Sequence, residues 1–423
     1  MKLSQCMIVK NEEKNIETAL GWAKDITFEQ IVVDTGSTDN TVELAKKLGA
    51  KVCHFEWINN FAAAKNYAIE QATGDWIAFL DADEYLSSED IKKLIKLLKQ
   101  IDSDTRNKKI ILGIVTPWVN VDDNGKPMTI ASQVRIFRND PSIRYQGRVH
   151  ESLSIYENKF IDADDISIIH TGYSESSHIE TGKAERNIKL LRSELEEKPD
   201  DINLKAYLAN DLSMASEEDM QKEAEILFLD VMKSNEKISA IHRIKALLFL
   251  VTRYSEQPDK LDACEEMCRK TLIEFPGAID VEYLLADTLS KKGDYKEAWN
   301  FLKSCEDNIT QNSNHKDSIM IPADPTILFS KMVLTAKQMS DFESVVFYST
   351  KVLTMDKTRS SILGSCITML LMLGITDDEI IGLISNIYDF SDCDDLEFII
   401  NTANEYGARD FAVKIQGFLE ANS

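Results

Sequence analysis

Short apolar runs alternate with helical patterns through the first 169 residues, and this alternation constrains the fold more than any other feature of the sequence. The runs with strand character are Cys6–Val9, Gln30–Asp34, Lys51–Phe55 and Trp76–Leu80, and the helical patterns between them are Glu13–Ala23, Asn40–Leu48 and Ala62–Ala72. Continuous apolar strands that alternate with helices are typical of a parallel sheet covered on both faces. We therefore predict an α/β domain with a mostly parallel sheet.

After about residue 180 the strand patterns end, and helical periodicity continues to the C-terminus. Two stretches, Pro199–Ala209 and Pro276–Ala286, share a Pro, an Ile three positions later and a Leu-Ala pair at positions nine and ten. This echo resembles the helical hairpins of tetratricopeptide (TPR) repeats, and an irregular helical bundle is the alternative. We predict two domains, an α/β domain over residues 1–175 and an all-α, TPR-like domain over residues 176–423.

Composition limits the environment and the partners of the chain. A formal net charge of −23 disfavours binding to nucleic acid or to an anionic membrane. The seven scattered cysteines fit a reducing cytoplasm, and the spacing of Cys264 and Cys268 indicates a shared helix face rather than a metal site. Because no apolar stretch approaches the length of a membrane span or a signal peptide, we expect a cytoplasmic protein without a membrane span.

Carboxylates that follow the fourth apolar run are the strongest chemical signal. Asp81 and Asp83 stand two positions apart directly after Trp76–Leu80. Ligands of parallel sheets collect at the carboxyl ends of the strands, and paired carboxylates there can bind one divalent cation. Taken alone, such a pair is more often a solvated acidic turn that begins the next helix.

Further motifs in the same order point to a known family. The series Ile8-Val9-Lys10-Asn11-Glu12-Glu13, then Val33-Asp34-x-x-Ser37-x-Asp39, then Phe79-Leu80-Asp81-Ala82-Asp83 resembles the family 2 inverting glycosyltransferases of the GT-A fold over roughly residues 1–175. The later motifs Trp57-x-x-x-Phe61-Ala-x-Ala-Lys65-Asn66, Gln146-Gly147-Arg148-Val149-His150-Glu151 and His170-x-Gly172-Tyr173, together with a TPR-like half, resemble bacterial peptide and protein glycosyltransferases. That group includes sublancin-type S-glycosyltransferases and flagellin-modifying enzymes.

The resemblance implies a role for each matching position. The nucleotide-sugar site would comprise Val9, Asn11, Glu12, Asp34, Lys65, Asp81 and Ala82. Lys65 stands where many relatives have Arg, so it keeps the charge but loses the planar fork of hydrogen-bond donors. Asp83 and His170 would bind Mn²⁺ or Mg²⁺, which neutralises the donor diphosphate.

An inverting transfer also needs a base that takes the proton of the acceptor. Glu151 is the first candidate, since it falls where the family places a catalytic acidic residue, and His150 is its rival. The sequence leaves the choice between them open.

We therefore expect a metal-dependent enzyme that transfers a sugar, from UDP-GlcNAc or UDP-Glc, to a Ser, Thr or Cys side chain. Helical-repeat stacks form extended concave surfaces suited to peptides, which favours a polypeptide acceptor such as flagellin or a secreted peptide. The helical half is also a candidate surface for a homodimer. The alternatives are a cell-surface carbohydrate precursor as the acceptor, or a non-catalytic TPR scaffold.

Overall fold

The computed structural model describes residues 1–104, 111–122, 125–155, 159–171, 183–311 and 320–422. The chain forms two compact units, Met1–Leu204 and Lys205–Ser423. The boundary predicted at residue 175 falls within residues 172–182, outside the described residues, as do Gly172 and Tyr173.

The first unit is built on a nine-stranded mixed sheet. Its strands are β1 (Leu3–Val9), β2 (Glu29–Asp34), β3 (Lys51–His54), β4 (Trp76–Phe79), β5 (Glu84–Leu86), β6 (Gly113–Val121), β7 (Pro127–Arg138), β10 (Phe160–Asp162) and β11 (Ile168–His170). The strand order is β3-β2-β1-β4-β7-β6-β11-β5, with β10 beside β6. Five of its eight strand pairings are parallel, which confirms the mostly parallel sheet.

A separate two-stranded antiparallel ribbon joins β8 (Tyr145–Gln146) to β9 (Ser152–Leu153). The helices of the first unit are α1 (Ile16–Gly21), α2 (Thr41–Lys47), α3 (Phe61–Glu70), α4 (Ser88–Ser103) and α5 (Lys183–Glu197). Three buried clusters of apolar side chains pack against the sheet, as expected when helices cover both faces.

The predicted elements agree with the observed ones to within a few residues. The largest difference is α1, predicted over Glu13–Ala23, which is only six residues long. Its predicted first residues instead belong to the loop after β1, where the Glu13 carboxylate accepts hydrogen bonds from Asn40. Contacts to a second loop therefore shorten the helix at its N-terminus.

Helices form all the regular structure that the model describes in the second unit. They are α6 (Ile202–Ser213, which crosses the unit boundary), α7 (Glu218–Lys233), α8 (Ala240–Tyr254), α9 (Leu261–Glu274), α10 (Ile279–Lys292), α11 (Tyr295–Gln311), α12 (Met320–Ala323), α13 (Thr326–Gln338), α14 (Phe342–Met355), α15 (Ser360–Met372), α16 (Asp377–Ile384), α17 (Cys393–Glu405) and α18 (Arg409–Asn422), with a 3₁₀ turn at Pro258–Lys260. The predicted order of an α/β domain followed by an all-α domain is confirmed.

The two repeated stretches occupy equivalent positions. In each, a helix (α6 or α10) begins three residues after the shared proline. Gly293 ends α10 in the left-handed region, at φ 87°, which turns the chain into α11 as a helical hairpin. Cys264 and Cys268 are both buried on α9 as free thiols, as their spacing predicts.

Glu306 on α11 is the centre of a cluster of polar side chains in this unit. Its carboxylate accepts hydrogen bonds from Lys303 at 2.7 Å, Lys351 at 2.8 Å and the Tyr348 hydroxyl at 2.6 Å. Burial raises the pKa of Glu306, but these hydrogen bonds outweigh it and lower the pKa to about 2.

Among the described residues, no helix combines the length and the apolar character needed to cross a lipid bilayer.

Candidate functional site

A cleft of about 350 Å³ opens at the carboxyl ends of β1 and β4. It is lined by Ile8, Val9, Lys10, Glu12, Thr35, Phe61, Lys65, Asp81, Ala82, Asp83, Val149, Glu151, His170, Arg186 and Asn187. Most of the predicted site residues thus lie in one place. Asn11, Asp34 and His150 are not among the lining residues.

Side-chain hydrogen bonds between the loops after β1 and β2 shape one wall of the cleft. Asn11 adopts a left-handed backbone, at φ 59°, and its amide N–H donates to the Ser37 hydroxyl at 2.9 Å. Its side-chain oxygen accepts from the amide of Thr38 at 2.8 Å, and the amide of Glu12 donates to Thr41. Asn11 therefore holds the two loops together beside the cleft.

Asp34, at the end of β2, is 5% exposed, and its carboxylate organises its own loop. It accepts hydrogen bonds from the amides of Ser37 and Gly36 and lies 3.3 Å from Nδ1 of His54. Burial raises the pKa of Asp34, but the hydrogen bonds outweigh it and hold the pKa below its usual range. Asp34 is thus an ionised acceptor at the edge of the predicted nucleotide site.

A chain of alternating charges begins with the cleft residues Glu151, Lys65 and Asp81 and continues beyond the lining residues. The Lys65 ammonium, 3% exposed, lies 2.6 Å from Glu151 and 3.3 Å from Asp81. Arg135 on β7 continues the chain, 2.9 Å from Asp81 and 2.5 Å from the buried Glu84. Two cations and three carboxylates therefore share one sparsely solvated site.

The protonation states in this chain follow from its pairing. Burial alone would lower the pKa of Lys65. The negative charges of Asp81 and Glu151 outweigh this effect and raise the pKa above its usual range, so the lysine stays charged. Burial alone would raise the pKa of Asp81, but Lys65 and Arg135 hold it far below its usual range. Glu84 differs: burial raises its pKa and dominates over the attraction of Arg135.

Asp83 and His170 form a second pair at the mouth of the cleft, with Asp83 Oδ2 at 3.3 Å from His170 Nε2. The other ring nitrogen, Nδ1, lies 2.6 Å from Oδ1 of Asn120, and Trp118 stacks on the ring. Because an amide oxygen only accepts, Nδ1 donates to Asn120, and this contact orients the ring with Nε2 facing Asp83. A hydrogen bond that orients the second nitrogen is typical of metal-binding histidines.

These two ligands suit Mn²⁺ or Mg²⁺ only if oxygens of a bound diphosphate and water complete the coordination. No group of three or more His, Cys, Asp or Glu side chains arranged to bind a metal occurs among the described residues. The Asp81 carboxylate is held by Lys65 and Arg135, whereas Asp83 contacts His170. An incomplete protein ligand set is usual for Mg²⁺ that binds substrate phosphates.

Glu151 follows a tight loop, in which Gly147 and His150 have φ values of 95° and 51°. The peptide groups around Arg148 are held from two sides. Its carbonyl accepts from the amide of Phe61 at 2.8 Å, and its amide donates to Glu194 of α5 at 2.7 Å. The loop brings Glu151 to the cleft, whereas His150 is not among the lining residues.

Comparison with known proteins identifies the domain that contains this cleft. Residues 4–106 match the family model described as "Glycosyl transferase family 2". This stretch of the chain is similar to family 2 glycosyltransferases. The predicted family is therefore confirmed, and the sheet topology agrees with the GT-A fold that it implies.

Relatives extend the similarity beyond the matched residues. A TPR repeat-containing protein of Synechococcus elongatus is 37% identical over 220 residues, which are 50% of this chain and 51% of the relative. The SPbeta prophage-derived glycosyltransferase SunS of Bacillus subtilis is 28% identical over 295 residues, 67% of each chain. The match thus spans about half the length of the first relative and two thirds of the second.

Among solved structures, S. aureus TarS 1–349 in complex with UDP-GlcNAc is similar at 16% identity and a TM-score of 0.36, covering 74% of this chain and 92% of TarS.

Three residues in or near the cleft were not singled out from the sequence: Asn120, Arg135 and Arg186. A signal existed for Arg135, which is a charged residue inside the otherwise apolar end of β7. Arg186 lies on α5, after the residues that carry the family motifs. Its guanidinium lies 4.9 Å from the centre of the Phe61 ring. Burial lowers the pKa of Arg186, and Glu151 partly offsets this.

Proposed function

We propose that the protein transfers a sugar, GlcNAc or Glc, from a UDP-sugar to a Ser, Thr or Cys side chain of a polypeptide, with inversion at the anomeric carbon. The observation that carries the proposal is the position of Lys65, whose ammonium joins Asp81 to Glu151 inside the cleft. This geometry links the predicted donor site to the predicted base in a family 2 glycosyltransferase domain.

The donor would occupy the cleft with its uridine towards β1 and β2 and its diphosphate towards Asp83 and His170. Asp83 and His170 would hold Mn²⁺ or Mg²⁺, which supplies charge neutralisation for the departing diphosphate. Arg186 adds a cation to the same cleft, and its low solvation strengthens attraction to an anion. Asp34 accepts a hydrogen bond from the nucleotide base.

Glu151 is the base in this proposal because it lines the cleft and His150 does not. Its carboxylate takes the proton from the acceptor hydroxyl or thiol, whose oxygen or sulfur forms a bond to the anomeric carbon. The bond between that carbon and the diphosphate oxygen breaks, and UDP leaves with the electron pair. Lys65 orients the Glu151 carboxylate through a charge-assisted contact of 2.6 Å.

A polypeptide acceptor is favoured by the helical second unit. Paired helices joined by tight turns, as in α10 and α11, are the building blocks of repeat proteins whose concave surfaces bind extended partners. The resemblance of the loop motifs to peptide-modifying enzymes supports the same acceptor class. An exported peptide or a flagellin is the specific expectation.

Nucleotide release from a panel of nucleotide sugars tests the proposal. The purified chain is assayed with Mn²⁺, with Mg²⁺ and with chelator, as wild type, Asp83→Ala and Glu151→Gln. We expect slow hydrolysis of one UDP-sugar that requires the metal and is lost in Asp83→Ala. Asp164→Ala is the matched control, since Asp164 is exposed in the turn before β11.

Two results would contradict the proposal. If no nucleotide sugar is hydrolysed and calorimetry detects no binding, the domain acts as a scaffold for the helical unit. If hydrolysis proceeds at the same rate with chelator and in Asp83→Ala, the metal assignment is wrong.

A further inference from the structure

Strand β7 has a long edge without a neighbouring strand. It is twelve residues long, the longest strand described, and it pairs with β6 from Pro127 to Phe137. On its other side β4 pairs only with Ile136, Phe137 and Arg138. Within the described residues, the β4-facing edge from Met128 to Val134 therefore has no partner strand.

This edge is exposed and uncharged. Met128 is 59% exposed and Ile130 is 68% exposed, and the stretch Met128–Val134 contains neither a charged residue nor a proline. Proteins usually protect such edges with charges, prolines or bulges, because an unprotected edge pairs readily with another chain. The pairing with β6 shifts register at both ends of the stretch, and Met128 lies at one of these shifts, so Ile130 is the exposed aliphatic side chain of the regularly paired part.

The edge begins at the floor of the cleft. Arg135, the residue after Val134, binds Asp81 and Glu84. Strand β4 ends at Phe79, and the chain then turns away through Asp81 and Asp83 to form β5. The free edge of β7 therefore starts where β4 leaves the sheet, directly beside the residues assigned to the donor, and leads outward from them.

We propose that the acceptor polypeptide binds as an extended strand added to the free edge of β7, which rests on the function proposed above. The peptide would take the position that β4 vacates, with its backbone bonded to every second residue of Met128–Val134. This mode of recognition uses main-chain hydrogen bonds for affinity and side-chain contacts for specificity. Because the edge carries no charge and exposes aliphatic side chains, the acceptor segment is uncharged, free of proline and aliphatic at alternate positions.

The mode explains how an acceptor side chain could be aimed at the donor. In an added strand, alternate side chains point to opposite faces, so one residue of the segment can face the cleft while its neighbours face away. The strand direction and register then select which Ser, Thr or Cys reaches Glu151. Selection would depend on the backbone around the acceptor residue as well as on its side chain.

The first experiment uses a library of 13-residue peptides centred on Ser, Thr or Cys, incubated with UDP-GlcNAc or UDP-Glc and Mn²⁺. The best substrate is then resynthesised with a single N-methyl group at each position in turn. We expect transfer efficiency to fall at least tenfold at every second position near the acceptor residue, with small effects between. An N-methyl scan without this alternation, or transfer to proline-flanked sites as efficient as to others, would overturn the proposal.

The second experiment changes the edge itself. Ile130→Lys should raise the KM for the best peptide at least fivefold, with a smaller change in kcat. Phe28→Lys is the matched control, because Phe28 is 53% exposed and lies at the amino end of β1 and β2, away from the cleft; it should leave the KM for that peptide unchanged. Thermal unfolding of both variants verifies that the fold is retained.

Other occupants give distinct results. If sedimentation shows that Ile130→Lys dissociates a dimer while the KM for the peptide is unchanged, the edge joins two copies of this chain and the proposal is wrong. Hydrolysis of the donor by the wild type without transfer to any peptide also rejects the proposal. Absence of any donor hydrolysis or donor binding by the wild type would instead refute the proposed function itself.

Discussion

Replacing Glu84 by Gln should strongly destabilise the first unit. The Glu84 side chain is fully buried, and its carboxylate accepts hydrogen bonds from Arg135 at 2.5 Å, the Trp118 indole at 2.8 Å and the amide of Asp81 at 3.0 Å. Gln has one acceptor oxygen instead of two and adds an NH₂ group that only donates. In the variant, the NH₂ group of Gln therefore faces one of the N–H groups that Glu84 accepts from. The variant also removes one of the two carboxylates beside Arg135.

The size of the effect follows from this geometry. Removing one partner of a buried ion pair costs about 3–5 kcal/mol, because the remaining charge is left uncompensated. Arg135 retains Asp81 at 2.9 Å, so the lower end, about 3 kcal/mol, applies. For a unit of this size, such a loss lowers the Tm by about 6–12 °C.

Urea unfolding followed by tryptophan fluorescence is the assay. Four of the five tryptophans, Trp22, Trp57, Trp76 and Trp118, lie in the first unit, so the signal reports mainly on its unfolding. Glu56→Gln is the control, since Glu56 is an exposed loop residue whose replacement should change the free energy of unfolding by less than about 0.5 kcal/mol. A loss below about 1 kcal/mol in Glu84→Gln would refute the reasoning that this network is dry and tightly coupled.

Three further predictions concern packing, pH and catalysis. Gly364→Ala places a Cβ against the Tyr406 ring and should destabilise the second unit by about 1–3 kcal/mol. In Gly382→Ala the new Cβ meets open space in α16, so this variant should stabilise the unit by up to about 1 kcal/mol. Urea unfolding measures both changes. Because the pKa of Glu306 is lowered on folding, its contribution to the free energy of unfolding is present above pH 4.5 and is lost as the pH falls towards 2. Stability measured by circular dichroism should therefore decline less over that range in Glu306→Gln than in the wild type. Equal declines would contradict the pairing. Glu151→Gln should lower the kcat of transfer by about 10²–10⁴-fold in single-turnover assays, and a smaller loss would assign the base elsewhere.

The sequence was sufficient to predict the first four strands and the helices between them. These strands are apolar runs bounded by polar turns, and such runs are buried whatever the order of the strands. The short strands β5, β10 and β11 are only three residues long and have no recognisable period. Their place in the sheet depends on pairing with distant strands, which a local pattern does not encode.

The sequence predicted most of the residues of the candidate site but not which of their side chains contact one another. The motif Asp81-Ala82-Asp83 suggested two carboxylates acting together, yet the structure gives them different partners. The Asp81 carboxylate contacts Arg135 because β7 lies between β4 and β6 in the sheet. This strand order is a non-local property of the sheet, which the local motif does not encode. The contribution of Arg186 was unpredictable for the same reason, since α5 follows the motif-bearing residues.

The two hydrogen bonds to the peptide groups around Arg148 bear on how this enzyme could be recombined with others. One is donated by the Phe61 amide of α3, inside the family match, and the other is accepted by the Glu194 carboxylate, far outside it. A chimera joined near residue 175 would discard α5 and release the loop before Glu151. The transplantable module therefore ends between Glu197 and Ile202, after α5. A different helical unit grafted at that junction would leave the loop before Glu151 anchored on both sides.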